Sequence, residues 1–250
     1  MFTSTVFLLA LAGIARAQTP QGFTPSVNTK LDVFFNSTSV ATPGQRLKKA
    51  TTASQPQLAL PATANVSSSD SYIFVMIDLD VPPAEGQTTR RTILHAMITD
   101  FKATSQAVGS SGSRLLASQE KGPAAYIGPS PPATDSTPHR YVELLFQQPA
   151  QELSVSEADF EDIQSRIGFE IEQFAQQNGL GEPLAANFFT VSGQPGGGAS
   201  GTAGSFGTAT GSGGIVRNTL APEEFEGRAG RVDFSLGFAG LVGGLVLAVV

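Results

Sequence analysis

The run YIFVMIDLD at 72–80 constrains the fold of this chain more than any other stretch. β-Branched and aromatic side chains fill most of it, and Pro82-Pro83, which lack the N–H a ladder needs, closes it. It reads as a strand. Four further strand candidates follow the same pattern at 31–35, 92–99, 141–147 and 187–191. Irregular stretches rather than regular helices separate them, which disfavours a doubly wound α/β sheet. One helix is expected: Phe160, Ile163, Ile167, Ile171 and Phe174 recur at helical spacing on one face, Ser156 and Asp159 can cap its start, and Asn178-Gly179 can stop it. The expected architecture is mainly β, a sandwich or barrel-like sheet with a late helix packed on its edge.

With 250 residues and 40% hydrophobic content, the chain can fill one core of ordinary size. It has 15 Lys plus Arg against 21 Asp plus Glu, a net charge of −6 that argues against a nucleic-acid partner. Cysteine is absent, which removes disulfides, thiolate metal sites and cysteine nucleophiles together. Imidazole chemistry has two candidates, His95 and His139.

Both ends read as targeting segments. The apolar run 6–14 followed by Ala15-Arg16-Ala17 is expected to be a signal peptide over 1–17, cleaved before Gln18. The uncharged tail LGFAGLVGGLVLAVV at 236–250 is short for a bilayer span but suits a glycolipid-anchor signal, assigned to 231–250. Gly227, Ala229 and Gly230 are the candidate attachment residues. Between the folded region at 18–192 and this tail, 193–230 reads as a glycine-rich flexible spacer. The expected location is therefore extracellular, tethered to membrane or wall through a lipid, with a single C-terminal span as the alternative. The sequons at Asn36 and Asn65 are candidate glycosylation sites in that setting.

Chemistry concentrates in three places. Asp78 and Asp80 share a strand face just before the diproline, and His95 interrupts an apolar strand. The segment GPAAYIGPSPP at 122–132 should be a stiff irregular loop, and His139, Tyr141 and Glu143 share one face of the strand that follows. Together Asp78-Leu79-Asp80-Val81-Pro82, Leu94-His95, the run YIGPSPP at 126–132, Pro138-His139-Arg140-Tyr141-Val142 and the ending GEPLAANFF at 181–189 resemble the phosphatidylethanolamine-binding protein family in order and spacing. The resemblance covers about 23–191. It departs at Leu79, where the family usually has proline, at Pro83, and at Ser130, which replaces a loop glycine.

The resemblance implies a β-sandwich, a large sheet packed on a smaller one, and a small anion pocket for phosphate or a phospholipid head group. Its polar groups would be Asp78, His95, His139 and Tyr141, walled by Gly128, Ser130 and Pro131, with Asp80, Pro82 and Pro132 structural nearby. Asp80 is expected to satisfy loop backbone donors. A carboxylate beside an imidazole favours the doubly donating cation, so both histidines are expected to offer N–H groups to the anion. No cofactor, metal site or catalytic residue is expected: no Gly-x-Ser-x-Gly elbow or tight ligand spacing occurs, and Ser118-x-x-Lys121 lacks its companion motifs. The function expected is a non-catalytic surface binding module. Alternatives are inhibition of a secreted or vacuolar carboxypeptidase-type protease, as in some relatives, and a wall or adhesion component with a vestigial pocket.

Overall fold

A computed structural model describes residues 17–64, 66–109 and 112–194. The stretch before residue 17, the sequon asparagine Asn65, the spacer from residue 195 and the tail with Gly227, Ala229 and Gly230 lie outside the described residues.

Among the described residues, nine strands follow one another as β1 (Asp32–Phe35), β2 (Thr38–Ser39), β3 (Gln45–Leu47), β4 (Gln57–Leu60), β5 (Tyr72–Val81), β6 (Arg91–Val108), β7 (Ser113–Ala117), β8 (His139–Gln147) and β9 (Ala185–Val191). They hydrogen-bond in the order β2-β1-β4-β7-β6-β5-β8-β9-β3. Every pairing is antiparallel except β3 with β9. The fold is thus mainly β, and its two expected layers are two parts of one curled sheet. They are joined through the 18-residue β6, which pairs β5 as far as Phe101 and β7 from Lys102 onward.

The strand changes partner at a local irregularity. Pairing with β5 jumps from Phe74↔Ile98 to Tyr72↔Phe101, and Asp100 takes a positive φ of 58° there. An Asp tolerates that conformation better than most residues. Its N–H donates to Gln148 Oε1 at 2.8 Å, and the Gln148 amide donates back to its carboxylate at 3.1 Å.

The curl buries both faces of β5, so its sequence is continuously apolar rather than alternating. Tyr72, Phe74 and Met76 point inward, against Phe35, Leu58 and Leu116 of the other part. Ile73, Val75 and Ile77 point outward, beneath Phe160, Ile171 and Phe174 of the late helical region. The two cores therefore lie on opposite faces of one strand, and the inner face runs on into Asp78 and Asp80.

The single helix expected over this region is broken. A 3-10 turn (Glu157–Phe160), α1 (Ile163–Arg166) and α2 (Ile171–Asn178) replace it. Gly168, with φ of +80°, makes the break, and Ile167 instead bridges to Ile93 of β6. Ile163, counted on the buried stripe by its spacing, is 54% exposed. The expected caps hold: Asp159 accepts from the Ser156 N–H at 2.8 Å, and Gly179 ends α2 in the left-handed region.

Candidate functional site

β5 and β8 pair without a slip, with Met76 opposite Glu143 and Asp78 opposite Tyr141. Residues on the inner face of both strands therefore converge at one end of the inner core. His95 reaches the same end through a bulge. Pairing between β5 and β6 goes from Met76↔Ala96 directly to Ile77↔Leu94, leaving His95 as the extra residue. A bulge re-aims the side chain it carries. Here it brings the His95 ring edge-on to Tyr141 at 5.1 Å, while His139 stacks over Tyr141 at 6.4 Å. Asp78, His95, His139 and Tyr141 are all buried.

Asp78 organises the cluster. Its Oδ1 accepts from the Asp80 N–H at 2.7 Å, its Oδ2 lies 2.7 Å from His139 Nδ1, and the same oxygen is 4.0 Å from His95 Nε2. The two rings are thus together on one carboxylate, but they are not equivalent. Burial opposes charge on His139, yet the hydrogen bonds and charges of Asp78 and Asp135 outweigh it, and the pKa is raised. Both of its nitrogens face carboxylates, which assigns the imidazolium form. Burial pushes the pKa of His95 down, more than Asp78 and the Ile127 carbonyl raise it. Its Nδ1 lies 2.7 Å from Ile127 O and must donate there, so the neutral ring turns a lone pair, not an N–H, toward Asp78.

The expectation that both histidines offer N–H groups to an anion is therefore corrected. His95 is neutral and donates to the loop, and His139 Nε2 is engaged by Asp135 Oδ2 at 3.1 Å. The phenol of Tyr141 points at the same carboxylate: among the described residues its hydroxyl makes no hydrogen bond of full geometry, yet it lies close enough to Asp78 to interact with it. Burial and the nearby Asp78 carboxylate raise its pKa, so it remains a phenol. Its ring stacks on Phe189 at 5.3 Å, which fixes its direction.

Asp135 and Arg90 were not among the residues the sequence singled out. Asp135 accepts both guanidinium arms of Arg90, at 2.8 and 3.0 Å, and the Thr137 N–H at 2.9 Å, besides facing His139. The Arg90 hydrogen bond first, then Thr137 and His139, hold its carboxyl well below the usual range. Arg90 also donates to the carbonyl of Asp80. The only local signal was Asp135 placed two residues before Thr137, a pattern suited to a side chain closing a turn. Nothing in the sequence pairs position 90 with 135.

Asp80 departs from its expected role too. Instead of loop donors it takes the Arg140 backbone N–H at 2.8 Å and that residue's guanidinium at 2.8 and 2.9 Å. Burial works against the Asp80 charge, but Arg140 outweighs it and the pKa falls. Each buried charge in the cluster thus has an opposite partner.

The proline wall is irregular as expected, and it is braced from behind. Ile127 N–H donates to His95 O at 2.9 Å, Tyr126 Oη donates to Thr52 O at 2.7 Å, and Lys49 Nζ donates to Pro131 O at 2.6 Å. Gly128 passes so close to the 52–53 backbone that a Cβ would come within 3.2 Å of Thr52 O. Pro129 and Pro131 are buried, Ser130 and Pro132 exposed. Pro82 serves through its carbonyl, which accepts from Arg91 Nε at 3.1 Å. Gly193, where the glycine-rich stretch begins, packs on Pro132 so tightly that a Cβ would sit 1.9 Å from its carbonyl oxygen. Among the described residues no group of three or more His, Asp or Glu side chains is arranged to hold a metal ion.

A family model described as phosphatidylethanolamine-binding protein matches residues 37–189. The Phomoidride biosynthesis cluster protein N of Talaromyces stipitatus is 36% identical over 205 residues, covering 76% of this chain and 98% of that protein. The 26 kDa secreted antigen of Toxocara canis is 32% identical over 173 residues, covering 68% of this chain and 59% of that protein. Among solved structures, that of a carboxypeptidase Y inhibitor complexed with its cognate proteinase aligns at a TM-score of 0.49 and 25% identity, covering 67% of this chain and 84% of that one.

Proposed function

The chain belongs to the phosphatidylethanolamine-binding protein family, and from that premise we propose that it is a non-catalytic binding module for a phosphate-bearing group such as a phospholipid head group. The observation that carries this reading is the convergence of one imidazolium, one neutral imidazole and one buried phenol on Asp78, behind a braced proline wall. A phosphate needs directed donors in a place shielded from water. In this reading Tyr141 supplies one and His139 another once Asp135 yields its Nε2, Asp78 and His95 orient them, and Gly128, Ser130 and Pro131 form the rim.

Titration of the purified protein with phosphoethanolamine, followed by calorimetry, tests it. Wild-type protein should bind and His139→Ala should not, with the strand spectrum in circular dichroism unchanged. Equal affinity in the two proteins would remove the site. A peptidase-inhibitor role rests on the sequence resemblance and is separated by the same preparation: slowed carboxypeptidase turnover without phosphoethanolamine binding would replace the reading above.

The proposed setting is outside the plasma membrane. The apolar N-terminal run with its small-residue closure, the apolar C-terminal tail and the likeness to a secreted antigen of Toxocara canis support it. Asn36 suits glycosylation, being exposed in the turn between β1 and β2. Gln18 as the first residue of the mature protein, and release from cells by a phosphatidylinositol-specific phospholipase C, are the expected results. A chain that retains Met1, or that stays with the membrane after phospholipase, would overturn the two targeting proposals respectively.

A further inference from the structure

The position an anion would take on His139 is already filled by the protein itself. Asp135 belongs to no strand. It lies in the segment between Pro132 and β8, and its carboxylate receives the Arg90 fork, His139 Nε2 and the Thr137 N–H. A guanidinium fork, an imidazolium and a backbone amide around one pair of oxygens is the donor set that holds a phosphate or carboxylate ligand. The Asp135 side chain is only 6% exposed, whereas that of Arg90, on the outer side of the pair, is 30% exposed. His139 is buried, and its Nε2 is held by the Asp135 carboxylate.

The segment that carries Asp135 is lightly held. Residues 133, 134, 136 and 137 are exposed. Among the described residues, the hydrogen bonds that tie 133–137 to other elements run through the Asp135 carboxylate. Its N–H bonds only back to Pro132 O, at 3.1 Å, within the same turn. Releasing that carboxylate frees the segment without breaking a strand pairing, because β8 begins at His139.

We propose that Asp135 is an internal stand-in for the anionic group of the ligand, and that binding exchanges the two: the phosphoryl oxygens take over Arg90, His139 Nε2 and the Thr137 N–H while the Asp135 carboxylate moves out to water. The exchange leaves no buried cation unpaired, since one anion replaces another on the same donors. It adds Arg90 and Thr137 to the ligand contacts and makes the resting site self-occluded. This deepens the anion-binding reading and rests on it.

The test titrates full-length wild-type protein, Asp135→Ala, Asp135→Asn and the double variant Asp135→Ala/Arg90→Gln with inorganic phosphate, phosphoethanolamine and glycerophosphoethanolamine, using calorimetry and ¹⁵N imidazole NMR. Removing the competing carboxylate should tighten binding about tenfold or more, the factor expected for recovering one charge-assisted contact. The gain should vanish in the double variant, and the His139 Nε2 resonance should move on ligand addition. Should Asp135→Ala not fold, Asp135→Asn, which keeps the size and the Thr137 contact, carries the comparison. Binding no tighter than wild type in the folded Asp135 variants, or a gain that survives loss of Arg90, overturns the exchange while leaving the pocket reading intact. Absence of binding in every protein, Asp135 variants included, overturns both. A gain shared by inorganic phosphate and phosphoethanolamine assigns free phosphate or a monoester, and one largest for glycerophosphoethanolamine assigns a lipid head group; either supports the exchange.

Discussion

Replacing Glu143 should make this protein more stable, and by an amount that depends on pH. Glu143 lies on the inner face of β8 between Tyr141 and Leu145, opposite Met76 and Asn187. It is fully buried, and neither carboxyl oxygen has a hydrogen-bond partner among the described residues. Asn187 cannot help, because its Nδ2 donates to Leu31 O and Val40 O and its Oδ1 accepts the Phe188 N–H. Burial therefore drives the Glu143 pKa well above the ordinary range. Leaving a polar group buried and unpartnered costs about 1–3 kcal/mol. A second cost follows from linkage: over the range where the folded state keeps the proton and the unfolded state has lost it, stability falls by about 1.4 kcal/mol per pH unit as pH rises. That cost is absent below the ordinary Glu range and grows as pH rises from there toward the folded value. Glu143→Met, close in volume and apolar, removes both costs, so at pH 7 it should stabilise by about 2 kcal/mol or more. The gain should shrink as pH falls toward the ordinary Glu range. Glu143→Gln should remove the pH dependence alone. Urea unfolding followed by circular dichroism from about pH 4 to about pH 8 measures both; the chain has no tryptophan to report by fluorescence. A methionine variant less stable than wild type at neutral pH, or a difference that ignores pH, would mean that the carboxylate is ionised and paired, and the reasoning would fail.

Because the His139 pKa is raised in the folded state, its ion pairs should stabilise fully below the ordinary histidine range and progressively less as pH rises through the folded value. Asp78→Asn should lower that value and weaken this alkaline decline, as read from imidazole NMR and urea midpoints. Asp80 and Asp135 act in the opposite sense, their carboxyls being held low, so their contribution should be present above the ordinary Asp range and lost on acidification. Arg140→Ala leaves buried Asp80 without its guanidinium and should cost about 1–3 kcal/mol, a loss seen as a lower urea midpoint. Gly193→Ala places a methyl on the Pro132 carbonyl and should lower the thermal midpoint while shifting the Pro131–Pro132 resonances; an unchanged midpoint would show that Gly193 does not brace the wall.

What could be read from the sequence divides along physical lines. The run at 72–80 announced β5 because a strand buried on both faces is apolar throughout. β2, β3, β4 and β7 gave no comparable signal, being two to five residues long and partly polar. The second half of β6 carries no strand signal because its exposed residues, Ser105 to Ala107 among them, serve a curled edge rather than a core. In the helical region the apolar spacing was real, but Gly168 overrode it, and period alone could not see the break. At the site, the grouping of Asp78, His95, His139 and Tyr141 followed from motifs whose residues the fold does bring together. Their protonation did not, because it depends on Ile127 O and Asp135, contacts 32 and 4 residues away in the chain that no spacing rule selects.

The length of β6 has a consequence for how this protein can be altered. One continuous polymer segment serves as border to both parts of the sheet, so among the described residues the sheet has no seam between those parts. A nick or a permuted terminus in the middle of that strand would orphan two ladders at once, whereas folds whose sheets are joined by loops can tolerate such surgery at the joint. Tolerant places for grafts or new ends lie elsewhere, at exposed turns such as the one carrying Asn36. Heating should accordingly dissolve the two parts as one cooperative body rather than peel one from the other.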